Sequence, residues 1–422
     1  MDALSEFEWR GTLYDGTEGL REALASGPLR AYAGFDPTAA SLHVGSLMPI
    51  LGLARLQRLG HTPIAVVGGG TGLIGDPSGK TLERQLMDSS KVDEHVAGIR
   101  RQLERFLDFG RGPASALLVD NAEWLTSLGA IAFMRDVGKH FTVNYMLAKE
   151  SVKGRIDRED GISYTEFSYL LLQAYDYLVL HDRHGCALQI GGSDQWGNIT
   201  AGIELIRRLR GAKAHGLVMP LVTTATGTKF GKTEAGAIWL DPSLTKPYEF
   251  YQFWLNTDDR DAVRYLKFFT FLDAARVGEL EASSLAEPEK RVAQRELARE
   301  VTRLVHGSQA VLDAEAASEK LFRGDVTQMS VDELLQVFAN VPSSTVAFSD
   351  DGWALADLVT SVGVTKSKGE AQRLVRAGGL YVNERRIGEE KARLTAEDAI
   401  GGQVFVIRKG KKDNFLVRIS RD

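Results

Sequence analysis

The chain has 422 residues, 44% of them hydrophobic and 25% charged, with a formal net charge of −5, which predicts two or three globular domains with a sizeable core. No apolar run approaches the roughly 20 residues that span a bilayer, and the acidic start MDALSEFEWRG lacks an apolar signal core, so we expect neither a membrane partner nor secretion. Cys186 is the only cysteine, which excludes an intrachain disulfide and suits a cytoplasmic protein, and the histidines show no metal-ligand spacing, so we expect no protein metal site.

The first predicted strand, LRAYAGF (residues 29–35), follows expected helical turns over residues 1–28 and ends at a turn that begins with Asp36. The helix LMPILGLARLQRLG comes next, with His43 shortly before it. A strand that ends at a tight turn before a helix leaves unpaired backbone N–H groups directed at one spot, which attracts anions, phosphate above all. TPIAVVGGG (residues 62–70) predicts a second buried strand. This strand–helix–strand order indicates a right-handed parallel unit and hence an α/β fold with a doubly wound, Rossmann-like sheet.

Two glycine motifs follow the second strand, and neither predicts nucleotide binding by itself. Residues 70–75 satisfy GxGxxG, but Asp76 and Pro77 stand where that fingerprint requires a helix. Residues 75–81 have three residues between their glycines, whereas a phosphate loop has four. We interpret the segment as a glycine loop over a pocket, with Asp76 as its fixed chemical group.

Residues 91–150 predict helical segments with one short strand, ALLVDN, and residues 163–178 predict a long helix. Tyr169, Gln173 and Asp176 stand at i, i+4 and i+7 of that helix and therefore share one face. A polar stripe can be a solvent face, but apolar residues surround this one, and a buried acid requires a partner. A pocket for a small polar ligand is therefore at least as well supported as a solvated face.

Two later loops carry groups that suit a nucleotide. GGSDQ (residues 191–195) lies between a strand and a helix, where its acid, Asp194, can cap the helix or accept hydrogen bonds from ribose hydroxyls. In KFGKT (residues 229–233), Lys229 and Lys232 suit a polyanion such as a triphosphate becoming pyrophosphate, although most lysine pairs of this spacing are solvated surface.

Five segments resemble, in the same order, the bacterial tyrosyl-tRNA synthetase family of class I aminoacyl-tRNA synthetases. They are YAGFDPTAASLHVGS, GGGTGLIGDPSGK, YTEFSYLLLQAYD, IGGSDQWGNI and KFGKT. The first is similar to the family's HIGH segment, the last stands in the KMSKS position, and the resemblance covers essentially the whole chain. It implies a tyrosine–tRNA ligase that makes tyrosyl-adenylate and pyrophosphate from L-tyrosine and ATP and then charges the 3′ end of tRNA(Tyr). It also implies a homodimer and Mg²⁺ carried by ATP, with no DNA partner.

The resemblance further implies roles for individual residues. The tyrosine site would comprise Tyr32, Asp76, Tyr169, Gln173, Asp176 and Gln189, with Tyr32 and Asp176 at the phenol hydroxyl. The ATP site would comprise Gly34, Asp36, Thr38, His43, Ser46, Gly192, Asp194, Leu221, Val222 and Lys232. The catalytic groups would be His43, Gln195, Lys229, Lys232, Thr233, Lys80 and Arg84.

Two departures from the family motifs bear on these roles. The HIGH motif has Ser46 in place of its second histidine, and the KMSKS position has Gly231 in place of its serine. Serine donates a hydrogen bond but carries no charge. We therefore predict that Ser46→Ala slows pre-steady-state adenylate formation less than His43→Ala does, and equal or reversed losses would contradict this order.

The end of the chain is basic. Residues 353–422 contain 14 Lys and Arg against 9 Asp and Glu, a net of +5, whereas the rest of the chain has a net of −10, a pattern that flags a nucleic-acid binder. The stretch DLVTSVGVTKSKGEAQRLVRAGGLYVNERRI resembles the small RNA-binding domain of ribosomal small-subunit protein four. For each cation alone a solvated surface is a fair interpretation, but as a cluster they favour a phosphate-contacting face. The predicted RNA-binding residues are Lys366, Lys368, Arg373, Arg376, Arg385 and Arg386.

The expected domain order follows from the predicted elements and the resemblance. It is a catalytic domain over 1–246 with an inserted dimer-interface region around 100–165, a helical anticodon-side domain over 247–325, a linker over 326–350 and a small basic α+β domain over 351–422.

Two alternatives remain at this point. The related enzyme for tryptophan shares the fold, although Tyr32 with Asp176 suits a phenol better than an indole. An RNA-binding regulator with a relic nucleotide fold is the other, and the lysines of KFGKT together with Asp194 and Gln195 argue against it. Exchange of ATP and pyrophosphate dependent on each amino acid separates all three.

Overall fold

The computed structural model describes residues 2–78, 87–156, 161–227, 230–233, 236–323, 326–338, 341–410 and 413–421. The chain forms two compact units, one of Met1–Thr245 with Trp254–Val305 and one of Lys246–Phe253 with His306–Asp422. The last boundary between the units, at residue 306, lies within the helical domain that the sequence predicted over 247–325. The domain boundaries expected from the sequence stay a prediction.

A six-stranded sheet forms the centre of the first unit as described. Its strands are β1 Asp15–Gly16, β2 Arg30–Phe35, β3 Thr62–Val67, β4 Leu117–Asp120, β5 Cys186–Gly192 and β6 His215–Met219. Their order is β1-β6-β5-β2-β3-β4, and every pair is parallel except β1 with β6. The predicted parallel, Rossmann-like sheet is thus confirmed. A small antiparallel pair lies outside it, β7 Lys232–Thr233 with β8 Gly236–Ala237.

The short strand β1 differs from the helical turns that the sequence predicts over residues 1–28. Tyr14 N–H donates to the Val218 carbonyl, and Asp15 pairs with Val218 in antiparallel register. Two residues at a sheet edge are too few to show a periodic pattern, so only the neighbouring strand determines that they extend.

Helices cover the sheet of the first unit. They are α1 Ala3–Trp9, α2 Leu20–Ala25, α3 Leu47–Arg58, α4 Ser89–Leu103, α5 Ala122–Leu125, α6 Ala130–Asp136, α7 Val143–Leu147, α8 Glu150–Ile156, α9 Tyr164–His184 and α10 Trp196–Arg210. After α11 Pro247–Leu255 the chain continues with α12 Asp259–Phe269, α13 Ala274–Ala286 and α14 Val292–His306.

The long helix α9 begins where the sequence predicted. Ser163 caps it by accepting a hydrogen bond from Glu166 N–H, and Gly185 ends it with a φ of 60°. Its neighbour α10 approaches closely because Gly202 has no side chain: a Cβ there would lie 2.9 Å from the Cβ of Tyr177. Close contact of the two helices lets α9 present one face to the core and its polar stripe to the carboxyl ends of the strands.

The second unit has its own sheet and core. After α15 Ser308–Arg323 and α16 Val331–Val337 come β9 Ser343–Ala347, β10 Trp353–Ala354, α17 Leu355–Ser361, α18 Lys368–Arg376, β11 Leu380–Val382, β12 Arg385–Arg386, β13 Arg393–Leu394, β14 Val404–Lys409 and β15 Asp413–Ser420. The five-stranded sheet has the order β12-β11-β14-β15-β9, and β9 lies parallel to β15. Leu358, Val375 and Phe405 are among its buried core residues. Part of the segment expected to be a linker, 343–347, therefore belongs to this α+β sheet.

Among the described residues, no helix is long and apolar enough to cross a bilayer.

Candidate active site

A cavity of about 250 Å³ opens where the direction of strand order reverses in the sheet. The strands on its two sides are β2 and β5, which are neighbours although the chain moves from β2 towards β3 and β4 before it returns to β5. In open parallel sheets, ligands bind beyond the carboxyl ends of the strands at such a point. Twelve of the residues predicted for the site line this cavity. They are Tyr32, Gly34, Asp36, Thr38, Ser46, Asp76, Tyr169, Gln173, Asp176, Gln189, Gly192 and Gln195.

The acid at one end of the cavity is Asp176, which is 4% exposed. Asn121 Nδ2 donates to its Oδ2 at 2.9 Å, and Trp124 Nε1 donates to its Oδ1 at 2.7 Å. Burial raises the pKa of Asp176 to about 7, and the bonds from Asn121 and Trp124 oppose that rise. The carboxyl group is thus fixed in place and balanced between its two protonation states near neutral pH.

Two buried polar atoms of cavity-lining residues have no hydrogen-bond partner within the part of the chain that the structure describes. They are Tyr32 Oη on β2 and Gln189 Oε1 on β5. The two residues stand opposite each other in the parallel register. Burial, followed by the charge of Asp176, raises the pKa of the Tyr32 phenol well above its usual value, so the phenol stays protonated. Because unpaired buried polar groups are costly, their position on a cavity wall favours a polar ligand there.

A second acid, Asp36, is held at the end of β2. Tyr169 Oη donates to Asp36 Oδ2 at 2.8 Å and Thr71 Oγ1 donates to Oδ1 at 2.7 Å. Burial raises the pKa of the Tyr169 phenol well above its usual value, with the charges of Asp36 and Asp76 adding to the rise. Tyr169 therefore acts as a fixed donor that orients a carboxylate at the cavity.

A chain of amides connects the third acid, Asp76, to α9. Gln195 Nε2 donates to Asp76 Oδ2 at 2.7 Å, and Gln173 Nε2 donates to Gln195 Oε1 at 3.1 Å. Asn198 Nδ2 lies 3.0 Å from Gln173 Oε1, which accepts its hydrogen bond. Carboxylates and amide oxygens concentrated on one wall favour a cationic group such as an ammonium.

The turn before α3 has a shape that depends on its glycine. His43 Nδ1 accepts a hydrogen bond from Gly45 N–H at 3.0 Å, and a Cβ on residue 45 would lie 2.7 Å from His43 Cε1. Ser46 lines the cavity, whereas His43 is exposed and its ring lies 6.2 Å from that of Trp239. The imidazole therefore belongs to the turn before α3 and does not form part of the cavity wall.

The other predicted site residues are not brought into the cavity wall or cannot be described. Asp194, Leu221 and Val222 lie outside the lining, and Leu221 is exposed. Lys80, Arg84 and Lys229 lie outside the described residues, and for Lys232 and Thr233 the backbone pairing of β7 with β8 is described.

Sequence reasoning missed four residues that position the site: Thr71, Asn121, Trp124 and Asn198. Asn121 also accepts hydrogen bonds from Gly70 N–H and Thr71 N–H and so ties the glycine loop to the end of β4. One signal was available: ALLVDN ends in polar residues at the carboxyl end of a strand, where ligand-facing groups gather in parallel sheets.

Similarity to known proteins extends over nearly the whole chain. The family described as "tRNA synthetases class I (W and Y)" matches residues 24–323, and the one described as "Tyrosine--tRNA ligase SYY-like C-terminal domain" matches residues 333–417. Tyrosine--tRNA ligase of Roseiflexus castenholzii is 55% identical, covering 99% of both chains, and that of Geobacillus kaustophilus is 53% identical, covering 99% of this chain and 100% of its own. A C-terminally truncated mitochondrial tyrosyl-tRNA synthetase of Aspergillus nidulans has a similar structure, with a TM-score of 0.69 and 30% identity over 76% of this chain and 94% of that one.

Proposed function

This chain belongs to the tyrosine–tRNA ligases of the class I tRNA synthetase family, and we propose that it activates L-tyrosine with ATP and then transfers the tyrosyl group to tRNA(Tyr) as follows. The tyrosine carboxylate attacks the α-phosphate of ATP in line, which gives tyrosyl-adenylate and releases pyrophosphate. A terminal ribose hydroxyl of tRNA then attacks the acyl carbon, and AMP leaves.

One observation carries the choice of tyrosine as substrate: a fixed carboxylate, Asp176, lines the cavity together with the Tyr32 phenol, which has no hydrogen-bond partner among the described residues. Asp176 accepts a hydrogen bond from the substrate hydroxyl, and Tyr32 Oη is the second hydrogen-bond partner of that hydroxyl. Asn121 and Trp124 each donate to one oxygen of Asp176, and each oxygen keeps a further lone pair that can accept from the substrate. Phenylalanine would leave Asp176 and Tyr32 without the hydrogen bonds that the substrate hydroxyl makes. A site built to bind a hydroxyl rejects an analogue that lacks it, and tyrosyl-tRNA synthetases are the known example, with about 10⁵-fold rejection of phenylalanine.

The amino group of tyrosine lies, in this proposal, against the wall formed by Asp76, Tyr169 and Gln173. The hydrogen-bonded chain from Asp76 through Gln195 to Gln173 supports this assignment. Because that chain is completed within the protein, the ammonium group meets acceptors that are already oriented.

ATP, as its Mg²⁺ complex, lies along the turn after β2 and the start of α3. Backbone N–H groups at a helix start attract phosphate, and Gly192 permits close approach on the β5 side, since a Cβ there would lie 2.5 Å from Asp194 Oδ1. His43, Lys229, Lys232 and Thr233, with Lys80 and Arg84, would stabilise the charge that develops on pyrophosphate. Catalysis then comes from positioning and charge stabilisation, and no protein side chain acts as a covalent nucleophile.

Amino-acid-dependent exchange of ATP with labelled pyrophosphate tests the proposal directly. Exchange is expected with tyrosine and not with phenylalanine or tryptophan. Exchange with tryptophan alone would identify the sister specificity, and tight tRNA binding without exchange for any amino acid would identify an RNA-binding regulator.

The basic C-terminal sheet domain, residues 343–420, would bind tRNA. Its cations Lys366, Lys368, Arg373, Arg376, Arg385 and Arg386 are all exposed. Removing the chain from Ser343 onward, so that β9 leaves together with its partner β15, should spare adenylate formation and cripple tRNA charging. Unchanged charging by the truncated form would contradict this part of the proposal.

A homodimer would form through the region around 100–165. The large apolar side chains exposed there include Ile131 at 77%, Met134 at 54% and Val143 at 60%, and α6 contains no buried residue. Apolar groups concentrated on one surface mark a contact site in a protein of this kind. Sedimentation of Ile131→Lys should show monomers at concentrations where the parent chain is dimeric. We also place the enzyme in the cytoplasm, where its buried, unpaired Cys186 stays reduced.

A further inference from the structure

The helix α12 contacts α3 and the stretch from 222 to 233, although none of its residues lines the cavity. That stretch follows β6 and contains KFGKT, and the structure describes its residues 222–227 and 230–233. The stretch itself lies against the turn before α3, which is called the HIGH turn below. All of the contacts below lie within the first compact unit.

The first contact is a buried hydrogen bond from the loop to α12. Ala225 N–H donates to Asp261 Oδ2 at 2.7 Å, and Asp261 is only 3% exposed. The adjacent carbonyl of Thr223 accepts from Arg264 Nη2 at 2.6 Å and from Tyr265 Oη at 3.1 Å. Arg264 also forms an ion pair with Asp261, so donor and acceptor on the helix hold each other in position.

The second contact is aromatic. Phe230, the second residue of KFGKT, is 6% exposed and stacks on Phe269 with a ring separation of 5.1 Å. Tyr265 meets its ring edge-on at 5.0 Å, and Trp254 lies at 5.6 Å. The buried ring of Phe230 thus fixes the KFGKT segment, whose lysines must reach phosphate, against the aromatic residues of α12 and α11.

The third contact explains why glycine replaces serine in this motif. Gly231 has a φ of 77°, and a Cβ on it would lie 2.6 Å from Val44 Cγ2 in the turn before α3. Ile238 N–H donates to the Gly231 carbonyl, and Val44 N–H donates to the Ile238 carbonyl. The docked segment therefore fits directly against the HIGH turn, and a side chain at 231 would hold the two apart.

The far end of α12 is bound to α3 itself. Arg55, 2% exposed, donates to the carbonyl of Phe268 at 2.6 Å and lies within reach of those of Lys267 and Thr270. Arg55 lies near the C-terminal end of α3. The helix α12 is therefore bound both to the KFGKT segment and to the helix that follows the HIGH turn.

We propose that α12 is a brace that holds the KFGKT segment docked against the HIGH turn, with Asp261 and Phe230 as positioning residues for adenylate formation. This inference rests on the proposed function, because it assigns a purpose to the docking only if the segment acts on ATP. Asp261 and Phe230 touch no substrate; they act through the segment they hold.

The experiment compares Asp261→Ala with Asp261→Asn in the full-length chain. Alanine removes the acceptor for Ala225 N–H, whereas the asparagine oxygen still accepts that bond. Loss of a buried hydrogen bond to a charged group should lower the rate constant of adenylate formation roughly 10- to 100-fold in Asp261→Ala. Asp261→Asn should restore most of that rate, and the tyrosine dissociation constant, measured by equilibrium dialysis, should stay within about twofold in both.

Arg260→Ala is the matched control, because Arg260 is an exposed neighbour on the same helix whose ion pair is with Asp258. It should keep the parent rate. Phe230→Ala and Phe230→Leu test the loop side of the same contact without changing α12, so the inference stays testable if Asp261→Ala fails to fold; leucine should lose less rate than alanine.

The outcomes separate the inference from the function on which it rests. If the parent chain forms no adenylate, the proposed function fails. If the parent chain forms adenylate and Asp261→Ala and Phe230→Ala do so equally fast, or if tyrosine affinity falls in parallel with the rate, the brace is overturned.

Discussion

Tyr32→Phe should weaken tyrosine binding without weakening the fold. Tyr32 Oη is buried and has no hydrogen-bond partner within the described residues, so its removal leaves no protein group unpaired. A net hydrogen bond is worth roughly 0.5–1.5 kcal/mol, so tyrosine affinity should fall roughly 2- to 13-fold. Discrimination against phenylalanine should fall by a similar factor. The free energy of unfolding without ligand should change by less than about 0.5 kcal/mol.

Tyr177→Phe is the matched control. Tyr177 is also fully buried, its ring lies 5.1 Å from that of Tyr32, and its hydroxyl donates to the His215 carbonyl at 2.7 Å. This variant removes a buried hydrogen bond to the backbone, so the free energy of unfolding should fall by about 1 kcal/mol, while tyrosine affinity should hold.

Urea unfolding without ligand and equilibrium dialysis with labelled tyrosine measure the two effects independently. Exchange of ATP and pyrophosphate with tyrosine and with phenylalanine measures the discrimination. A Tyr32→Phe variant that loses as much stability as Tyr177→Phe and binds tyrosine unchanged would refute the reasoning, because its hydroxyl would then serve the fold.

Three further predictions concern charge, the docked segment and RNA. Burial raises the pKa of Asp176 from 3.8 to about 7, so the folded chain binds the proton of this carboxyl group more tightly than the unfolded chain does. The stability that the protonated carboxyl group contributes is therefore full below about pH 4. It is lost as the pH rises to about 7, by up to about 4 kcal/mol. Urea unfolding of Asp176→Asn should lack this slope, and parallel curves for both chains would contradict it. Gly231→Ser should slow adenylate formation roughly 10-fold or more, because the serine side chain would clash with Val44 and residue 231 has a positive φ. Stopped-flow rates equal to those of the parent chain would show that the segment tolerates a Cβ. In the C-terminal domain Arg376 forms an ion pair with Glu390, whereas Arg373 has no ion pair in the described part of the chain. Arg373→Ala should therefore weaken tRNA binding more than Arg376→Ala does, and it should reduce the salt dependence of binding by roughly one charge. Filter binding at several salt concentrations measures both effects, and an equal or reversed order of the two variants would contradict the prediction.

The fold class and the polar stripe of the cavity wall could be predicted from local patterns, whereas other residues of the wall, such as Tyr32 and Gln189, were predicted from the family resemblance. The order of strands, glycine turns and helices predicted a parallel sheet, and Tyr169, Gln173 and Asp176 share a helix face because their spacing follows the helical repeat. Both expectations depend on neighbouring residues only. Twelve predicted residues line one cavity, although their roles stay predictions.

The partners of those residues could not be predicted. Asn121 and Trp124 lie 55 and 52 residues before Asp176 in the chain, and no periodicity connects them. Their hydrogen bonds arise because the residues that follow β4 and the middle of α9 come together in space at the cavity. In the same way, Asp261 reaches Ala225 across 36 residues.

The amino-acid sequence alone therefore determined most of the strands and helices of the parallel sheet and which side chains share a helix face, since these follow from backbone geometry over a few residues. Tertiary structure decided which buried groups keep a partner and which, like Tyr32 Oη, lie on a cavity wall without one among the described residues. The physical reason is that desolvation and hydrogen bonding of a buried group depend on atoms brought close in space, and distance along the chain does not specify them.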